Sequence, residues 1–251
     1  MIGQRELLKK IDGQIERGKF PKVSILIGEK GSGKQTLASH IIQKLDCIPM
    51  PTSRYLFPSV DRFPDKSIQE VITLIENSSC NTYIILTCES IDKIPMQIQS
   101  KAVKYMMENY SYEDKCDYLR LNKIDNLTAD QEEFILETAT NIGEVKEMCS
   151  MDIDSLRRSV RNMLDALKTN EDISKIAFRE GDDRLPLHIL WKAFTTACGE
   201  QIQKNNNSLI YCRLIAITGD YLQDLPTTEN TRDLFNSWLM AIEDEWITFN
   251  A

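Results

Sequence analysis

Seven consecutive residues, Gly28-Glu29-Lys30-Gly31-Ser32-Gly33-Lys34, fit the pattern G-x-x-x-x-G-K. Glycines at this spacing let successive backbone N–H groups converge on one point, where phosphate oxygens can be cradled. The N-terminus of a following helix would add about half a positive charge there, and Lys34 would reach the outer phosphates of a nucleotide. A glycine-rich turn without a ligand is the plain alternative. Context speaks against it, because the loop directly follows the apolar run Val23 to Ile27 and directly precedes a segment of helical periodicity. Gln35 then breaks the pattern, standing where serine or threonine would put a hydroxyl on Mg²⁺. Thr36 comes one residue late, and a helix turns about 100° per residue, so it is no substitute. Phosphate binding along Gly28 to Thr36 survives on this reading, whereas the usual placement of Mg²⁺ does not.

Other residues with chemical potential carry less. His40 and His188 have no acidic or cysteine neighbour at ligand spacing and read as structural. The seven cysteines (Cys47, Cys80, Cys88, Cys116, Cys149, Cys198, Cys212) are odd in number and form no CxxC pair. They argue against a disulfide framework and against zinc, and for a reducing compartment. Each reads as a small buried apolar side chain. Arg157, Arg158 and Arg161 could meet DNA phosphate, but a solvated helix face is the commoner account. Trp191, Trp238 and Trp246 fall in helical patterns and read as packing residues rather than base-stacking platforms.

Periodicity supplies the elements that would position the loop. Leu7, Leu8, Ile11 and Ile15 mark a helix ended by Gly18, Val23 to Ile27 is a buried strand, and Leu37, Ile41, Ile42 and Leu45 mark a second helix. Arg54 to Phe57 and Ala102 to Met107 are expected as short strands, Thr82 to Cys88 as a continuous apolar one, and Ile68, Val71, Ile72 and Ile75 share a helix face. Strands alternating with helices imply βαβ units and a parallel sheet. From about residue 111 every segment has helical spacing. Thr128 to Gln131 forms a capping box for a helix carrying Phe134 and Ile135. Further helices are marked by Leu156, Val160, Met163, Leu164 and Leu167, and by Ile189, Leu190, Phe194 and Ala197; two more span Leu209 to Leu222 and Thr231 to Trp246. Asn205 to Asn207 is expected as a turn between helices. The fold class is therefore α/β with a parallel sheet, followed by an all-helical half.

A chain of 251 residues can form one large or two to three small domains. With 42% apolar and 27% charged residues, no apolar run near the roughly 20 residues of a membrane helix and no signal peptide at the start, a soluble, cytoplasmic protein without a membrane partner is expected. Net charge is −8, but residues 1–47 hold nine Lys/Arg against five Asp/Glu and the remainder holds 21 against 33. That excludes a generally basic DNA-coating protein, not local phosphate contact.

Three further stretches narrow the class: the opening Ile2-Gly3-Gln4, the segment Ile68 to Thr82, and Ile94-Pro95-Met96-Gln97-Ile98-Gln99-Ser100-Lys101 after an apolar strand. Together with the P-loop they resemble the AAA+ subunits of DNA clamp loaders, in which a sensor strand is followed by a stretch similar to I-P-x-x-I-R-S-R-C. Bacterial DNA polymerase III delta-prime and gamma/tau subunits and the small subunits of replication factor C are the similar proteins. Thr140 to Val145 resembles the start of that family's second sensor helix. The resemblance implies ATP or ADP as the ligand, and sliding-clamp loading at primer–template DNA in DNA replication. Other loader subunits and the clamp would be partners within an oligomer. It also implies three parts: a nucleotide-binding domain at 1–107, a helical lid at 108–151, and a collar at 152–251 that joins subunits, for which Trp238 or Phe235 is expected as an interface anchor.

Departures from the family bear on catalysis. Aligning Leu56 to Phe63 with the family's I-I-D-E-A-D-K-M places Pro58 and Ser59 where the metal-holding and water-activating carboxylates belong. Asp61 remains, but its counterpart is not the catalytic acid, and it reads as a loop or cap residue. Lys101, preceded by Ser100, stands at the position of the trans-acting arginine, and a point charge there stabilises a transition state less than a planar fork. No sensor-two arginine follows Gly143, where Glu144, Val145 and Lys146 stand. Residues 48–54 are too few for the family's usual inserted module, a trimming that would suit a phage genome. The expectation is a nucleotide-binding subunit with weak or absent hydrolysis of its own. Two rivals remain: an active stand-alone P-loop NTPase or kinase in which Asp61 or Glu89 manages the metal, and a nucleotide-free structural stator.

Overall fold

The computed structural model describes residues 2–47, 52–79, 81–122, 124, 126–169, 186–204, 208–225 and 230–250. The chain divides into two compact units, residues 1–123 with 141–143, and 124–140 with 144–251.

The first unit is built on four parallel strands, β1 (Val23–Ile27), β2 (Ser53–Phe57), β3 (Thr82–Cys88) and β4 (Val103–Met106), in the order β2-β3-β1-β4. Helices α1 (Arg5–Glu16), α2 (Lys34–Asp46), α3 (Asp65–Asn77), the single turn α4 (Met96–Gln99) and α5 (Tyr112–Leu121) complete it. Both faces of the sheet are covered, which is why β1 and β3 are continuous apolar runs rather than alternating ones. Val23, Ile25, Ile27, Ile84, Leu86 and Cys88 face α3, whose Ile68, Val71, Ile72 and Ile75 are buried against them. Leu26 and Ile85 point the other way, with Tyr105, into Leu7, Ile11 and Ile15 of α1 and Leu37, Ile41 and Leu45 of α2. Every expected strand and helix of this half is present, with β2 and β4 within a residue of their expected bounds. Gly18 stops α1 in the left-handed region at φ 62°, a backbone conformation that L side chains rarely adopt.

The second unit is helical: α6 (Ala129–Thr138), α7 (Ile142–Cys149, whose first residues cluster with the first unit), α8 (Ile153–Thr169), α9 (Leu187–Lys204), α10 (Ser208–Asp224) and α11 (Thr231–Asn250). The capping box expected at Thr128 and Gln131 is formed, each side chain satisfying the other residue's backbone amide. The expected turn at Asn205 to Asn207 lies outside the described residues. Trp191 and Trp238 are fully buried, 5.5 Å apart, with Phe194 and Phe235 around Trp238. The Trp238 indole N–H donates to Thr218 Oγ1 at 3.0 Å. Trp238 is thus a core residue of its own unit, not the expected interface anchor: its large ring, with a polar N–H that needs a partner, found both inside the bundle.

The cysteines also depart from one expectation. Cys88 and Cys198 are buried, and burial pushes their thiols up to about 11 and about 12. Cys47, which caps the C-terminus of α2, and Cys212, within α10, are by contrast exposed free thiols. Cys80 lies outside the described residues.

Candidate nucleotide site

In open α/β sheets the ligand crevice lies outside the carboxyl ends of the strands. Here β1 runs straight into the loop Gly28 to Gly33, and the loop into α2. Adjacent β3 ends at Cys88, whose carbonyl accepts from Gly28 N–H at 3.2 Å, and β2 ends just before Pro58 and Ser59. Gly31 and Gly33 take φ of 85° and 84°, conformations that L side chains rarely adopt. Gly28 is required for a different reason: a Cβ there would lie 2.8 Å from Met107 Cβ and from Ser32 Oγ.

A pocket of about 320 Å³ opens over the loop. Lys30, Gly31, Gly33, Lys34, Gln35 and Thr36 line one side, and Ser59, Thr87 and Glu89 the other. Lys34 is only 9% exposed, and its ammonium donates to Gly28 O at 2.5 Å and Glu29 O at 2.6 Å. Burial pushes the Lys34 pKa below the ordinary lysine value, against the pull of Glu89 and Asp61 nearby. Glu29 contributes its carbonyl, which also accepts from Ser32 N–H at 3.2 Å, and the Ser32 hydroxyl is buried without a partner.

The opposite wall holds residues that the motif did not name. Ser59 has a left-handed φ of 53° and donates its N–H to Thr87 Oγ1 at 3.0 Å. Glu89 is forked by the Arg62 guanidinium at 2.9 and 3.0 Å. Asp61 Oδ2 accepts from the backbone N–H of Glu89 at 3.1 Å and of Ser90 at 3.5 Å, so it braces the Glu89 backbone and does not line the pocket. Thr87 was legible in principle, as the one polar residue near the end of an apolar strand. Ser59 was legible only as the site of a missing carboxylate.

Mg²⁺ is the ion such a loop normally shares with its nucleotide, and it needs several oxygen ligands in octahedral geometry. Gln35 and Thr36 lie on the wall, exposed, and Glu89 is the one carboxylate lining the pocket but is already paired with Arg62. Among the described residues no group of three or more His, Cys, Asp or Glu is placed to hold a metal. The donor set does not fit the ion's usual site, and no step is assigned to it.

Ser100 and Lys101 do not join this pocket. Ser100 closes α4, donating to Gln97 O at 3.2 Å, and Lys101 pairs with Glu76 of α3 at 3.0 Å on an exposed surface. His40 pairs with Asp12 at 2.8 Å and His188 with Glu147 at 3.4 Å, structural roles supplied by residues distant in sequence.

A phosphate-type loop at the end of a central parallel strand, with helices on both sheet faces, and a helical second unit make up the fold class expected from the sequence. The chain shares its fold with a DNA polymerase III gamma subunit-related protein from Thermotoga maritima over 95% of this chain and 99% of that one, at TM-score 0.50 and 12% identity. The Thermotoga maritima RuvB Holliday junction branch migration motor matches 71% of this chain and 68% of its own at TM-score 0.45 and 16% identity. The Bacillus subtilis DNA clamp loader delta protein matches 94% and 99% at TM-score 0.31 and 8% identity. The first is a likeness of fold, and the two lower scores add nothing to it. No protein family and no curated protein matches the sequence.

Proposed function

We propose that this chain is a clamp-loader-type subunit that binds ATP or ADP at Gly28 to Thr36 and turns it over poorly by itself. One observation carries the reading. The pocket keeps a buried lysine ammonium and a left-handed glycine cradle, while Pro58 and Ser59 occupy the turn where the metal-holding and water-activating carboxylates would stand. The loop retains what phosphate binding needs and lacks what hydrolysis needs. In this reading residues 1–107 bind nucleotide, 108–151 act as the lid and 152–251 as the collar, with other loader subunits, a sliding clamp and primer–template DNA as partners in the cytoplasm. Among the described residues no helix is long and apolar enough to cross a membrane. Lys101, preceded by Ser100, would act on nucleotide held by a neighbouring subunit.

Calorimetry with ATP and ADP, alongside steady-state turnover of the isolated chain, tests the reading. Binding is expected, with turnover far below about 1 per second. Turnover near that rate, lost in Lys34→Ala, would replace this reading with the stand-alone NTPase. Glu89 on the pocket wall is the observation that favours that second reading, and Glu89→Gln separates the two, since only an active enzyme would lose turnover. Native mass spectrometry of the chain with the products of neighbouring genes tests the assembly.

A further inference from the structure

Only two described residues with side chains adopt a left-handed backbone, Gln4 at φ 56° and Ser59 at φ 53°, and such conformations persist where surrounding contacts compensate them. At Gln4 the compensation is visible. Its carboxamide donates to Glu108 O at 2.6 Å and accepts from Glu108 N–H at 2.8 Å, so it engages both backbone groups of one residue as a neighbouring strand would. The side chain is buried, with the residue 3% exposed, and this clamp fixes the segment that leaves β4.

Two residues beyond Glu108, the Tyr110 hydroxyl donates to Ser32 O in the P-loop at 3.0 Å. Gly3, itself at φ 63°, leaves room for the ring, since a Cβ there would lie 2.8 and 2.9 Å from two Tyr110 ring carbons. Burial pushes the Tyr110 phenol above its ordinary value, with Gln4 pulling it back and Asp114 adding to the rise, so the group is a protonated donor at neutral pH. A second donor holds the preceding peptide: Gly143 N–H reaches Gly31 O at 3.1 Å, an approach so close that a Cβ on Gly143 would fall 2.4 Å from Gly31 Cα.

The geometry of a trans peptide turns these contacts toward the ligand. A carbonyl and the N–H of the next residue point in opposite directions across a planar unit. A donor that holds Ser32 O therefore turns the Gly33 N–H the other way, among the orphan amides that open α2. We infer that Tyr110 is a positioning residue of the nucleotide site: placed by the Gln4 clamp, its hydroxyl fixes the Ser32–Gly33 peptide with the amide toward the phosphates, setting phosphate affinity without touching the ligand. This rests on reading the loop as a nucleotide site. Because the effect passes through one peptide of the phosphate cradle, it is blind to base and ribose.

Tyr110→Phe removes the hydroxyl and keeps the ring. It should weaken ATP, ADP and inorganic tripolyphosphate by the same factor, on the order of 3- to 10-fold for one hydrogen bond. Hydrogen exchange of the peptide covering Gly28 to Lys34 should quicken in the unliganded protein, with the melting temperature nearly unchanged. Gln4→Ala should reproduce the affinity loss with the hydroxyl still present, and the double variant should bind no worse than the weaker single one, because both act through one contact. Wild-type binding of all three ligands with an unaffected Tyr110→Phe overturns the inference and leaves the nucleotide reading standing. A wild-type protein that binds none of them, yet whose loop exchange quickens in Tyr110→Phe, overturns the nucleotide reading and leaves the loop latch standing.

Discussion

Lys34 spends its ammonium hydrogens on the carbonyls of its own loop, 2.5 and 2.6 Å away, so the cradle is pre-shaped around the charge that phosphate would meet. Lys34→Ala should therefore lower ATP and ADP affinity about 10-fold or more, measured by calorimetry, since a hydrogen bond to a charged group contributes about 1.5–3 kcal/mol. The missing carboxylates are harder to restore than the alignment suggests. Gln35→Thr with Pro58→Asp and Ser59→Glu would return the family's residue types, but Ser59 holds a left-handed φ of 53° that a glutamate adopts only under strain. Thermal melts should show Ser59→Glu less stable and Ser59→Gly more stable than the parent, the latter because glycine adopts this backbone freely. Lys101 belongs to another surface: in a complex, Lys101→Ala should lower ATPase about 10-fold or more while this chain's own nucleotide affinity stays unchanged. Its exposed pair with Glu76 stabilises little and does not oppose that role. An unaltered rate would make it a surface lysine only. The motif made Gly28 to Thr36 legible because that chemistry is local in sequence. Thr87, Glu89 and Arg62 were not legible as a set, because strand adjacency, not spacing, brings them to the loop.

At the scale of elements, a largely buried ion pair between Lys192 and Glu144 ties α7 to α9. Lys192 Nζ donates to Glu144 Oε1 at 2.5 Å and to Thr140 Oγ1 at 2.9 Å, while Thr140 N–H and its hydroxyl cover Glu144 Oε2 at 2.8 and 3.0 Å. Burial alone would raise the Glu144 pKa, but Lys192 and Thr140 overcome it and hold the carboxyl below its ordinary value. A depressed carboxylate contributes stability above its unfolded pKa, and that contribution is lost as pH falls through the folded one. Melting of the wild type should therefore decline as pH drops below the ordinary carboxylate range. Lys192→Met should cost about 3 kcal/mol at neutral pH, by leaving a buried carboxylate unpaired, and should flatten that acid-side decline. The helices themselves were legible from periodicity, since Phe134, Ile135, Leu156, Val160, Ile189 and Phe194 are all buried as spaced. The pairing of Glu144 with Lys192 was not, since it joins residues 48 apart.

At the scale of the whole molecule, the collar proposal must find its contact surface elsewhere than in the aromatic core. Met240 and Ile247 are 65% and 53% exposed, two turns apart on one side of α11. Met240→Asp with Ile247→Asp should leave the melting temperature nearly unchanged and weaken assembly by about 2 kcal/mol or more, if these side chains are central contacts. Sedimentation of the mixed complex measures it, and an intact complex would remove α11 from the interface. Surface changes are preferable to cutting near Asp154, because α6 buries Phe134, Ile135 and Leu136 within the unit that such a cut would dismantle. The distribution of aromatic rings has an optical consequence. All three indoles belong to the helical unit, at Trp191, Trp238 and Trp246, whereas the sheet unit has no tryptophan and carries only phenols and phenyl rings, Tyr105, Tyr110 and Phe20 among them. Emission excited at the red edge of absorption, where phenols are dark, therefore reports on the helices by themselves. Far-ultraviolet dichroism sees the entire chain, and a gap between the two melting curves would measure how independently the units unfold. A nucleotide titration that altered indole emission would register, without any attached dye, that phosphate held in one unit is felt in the other.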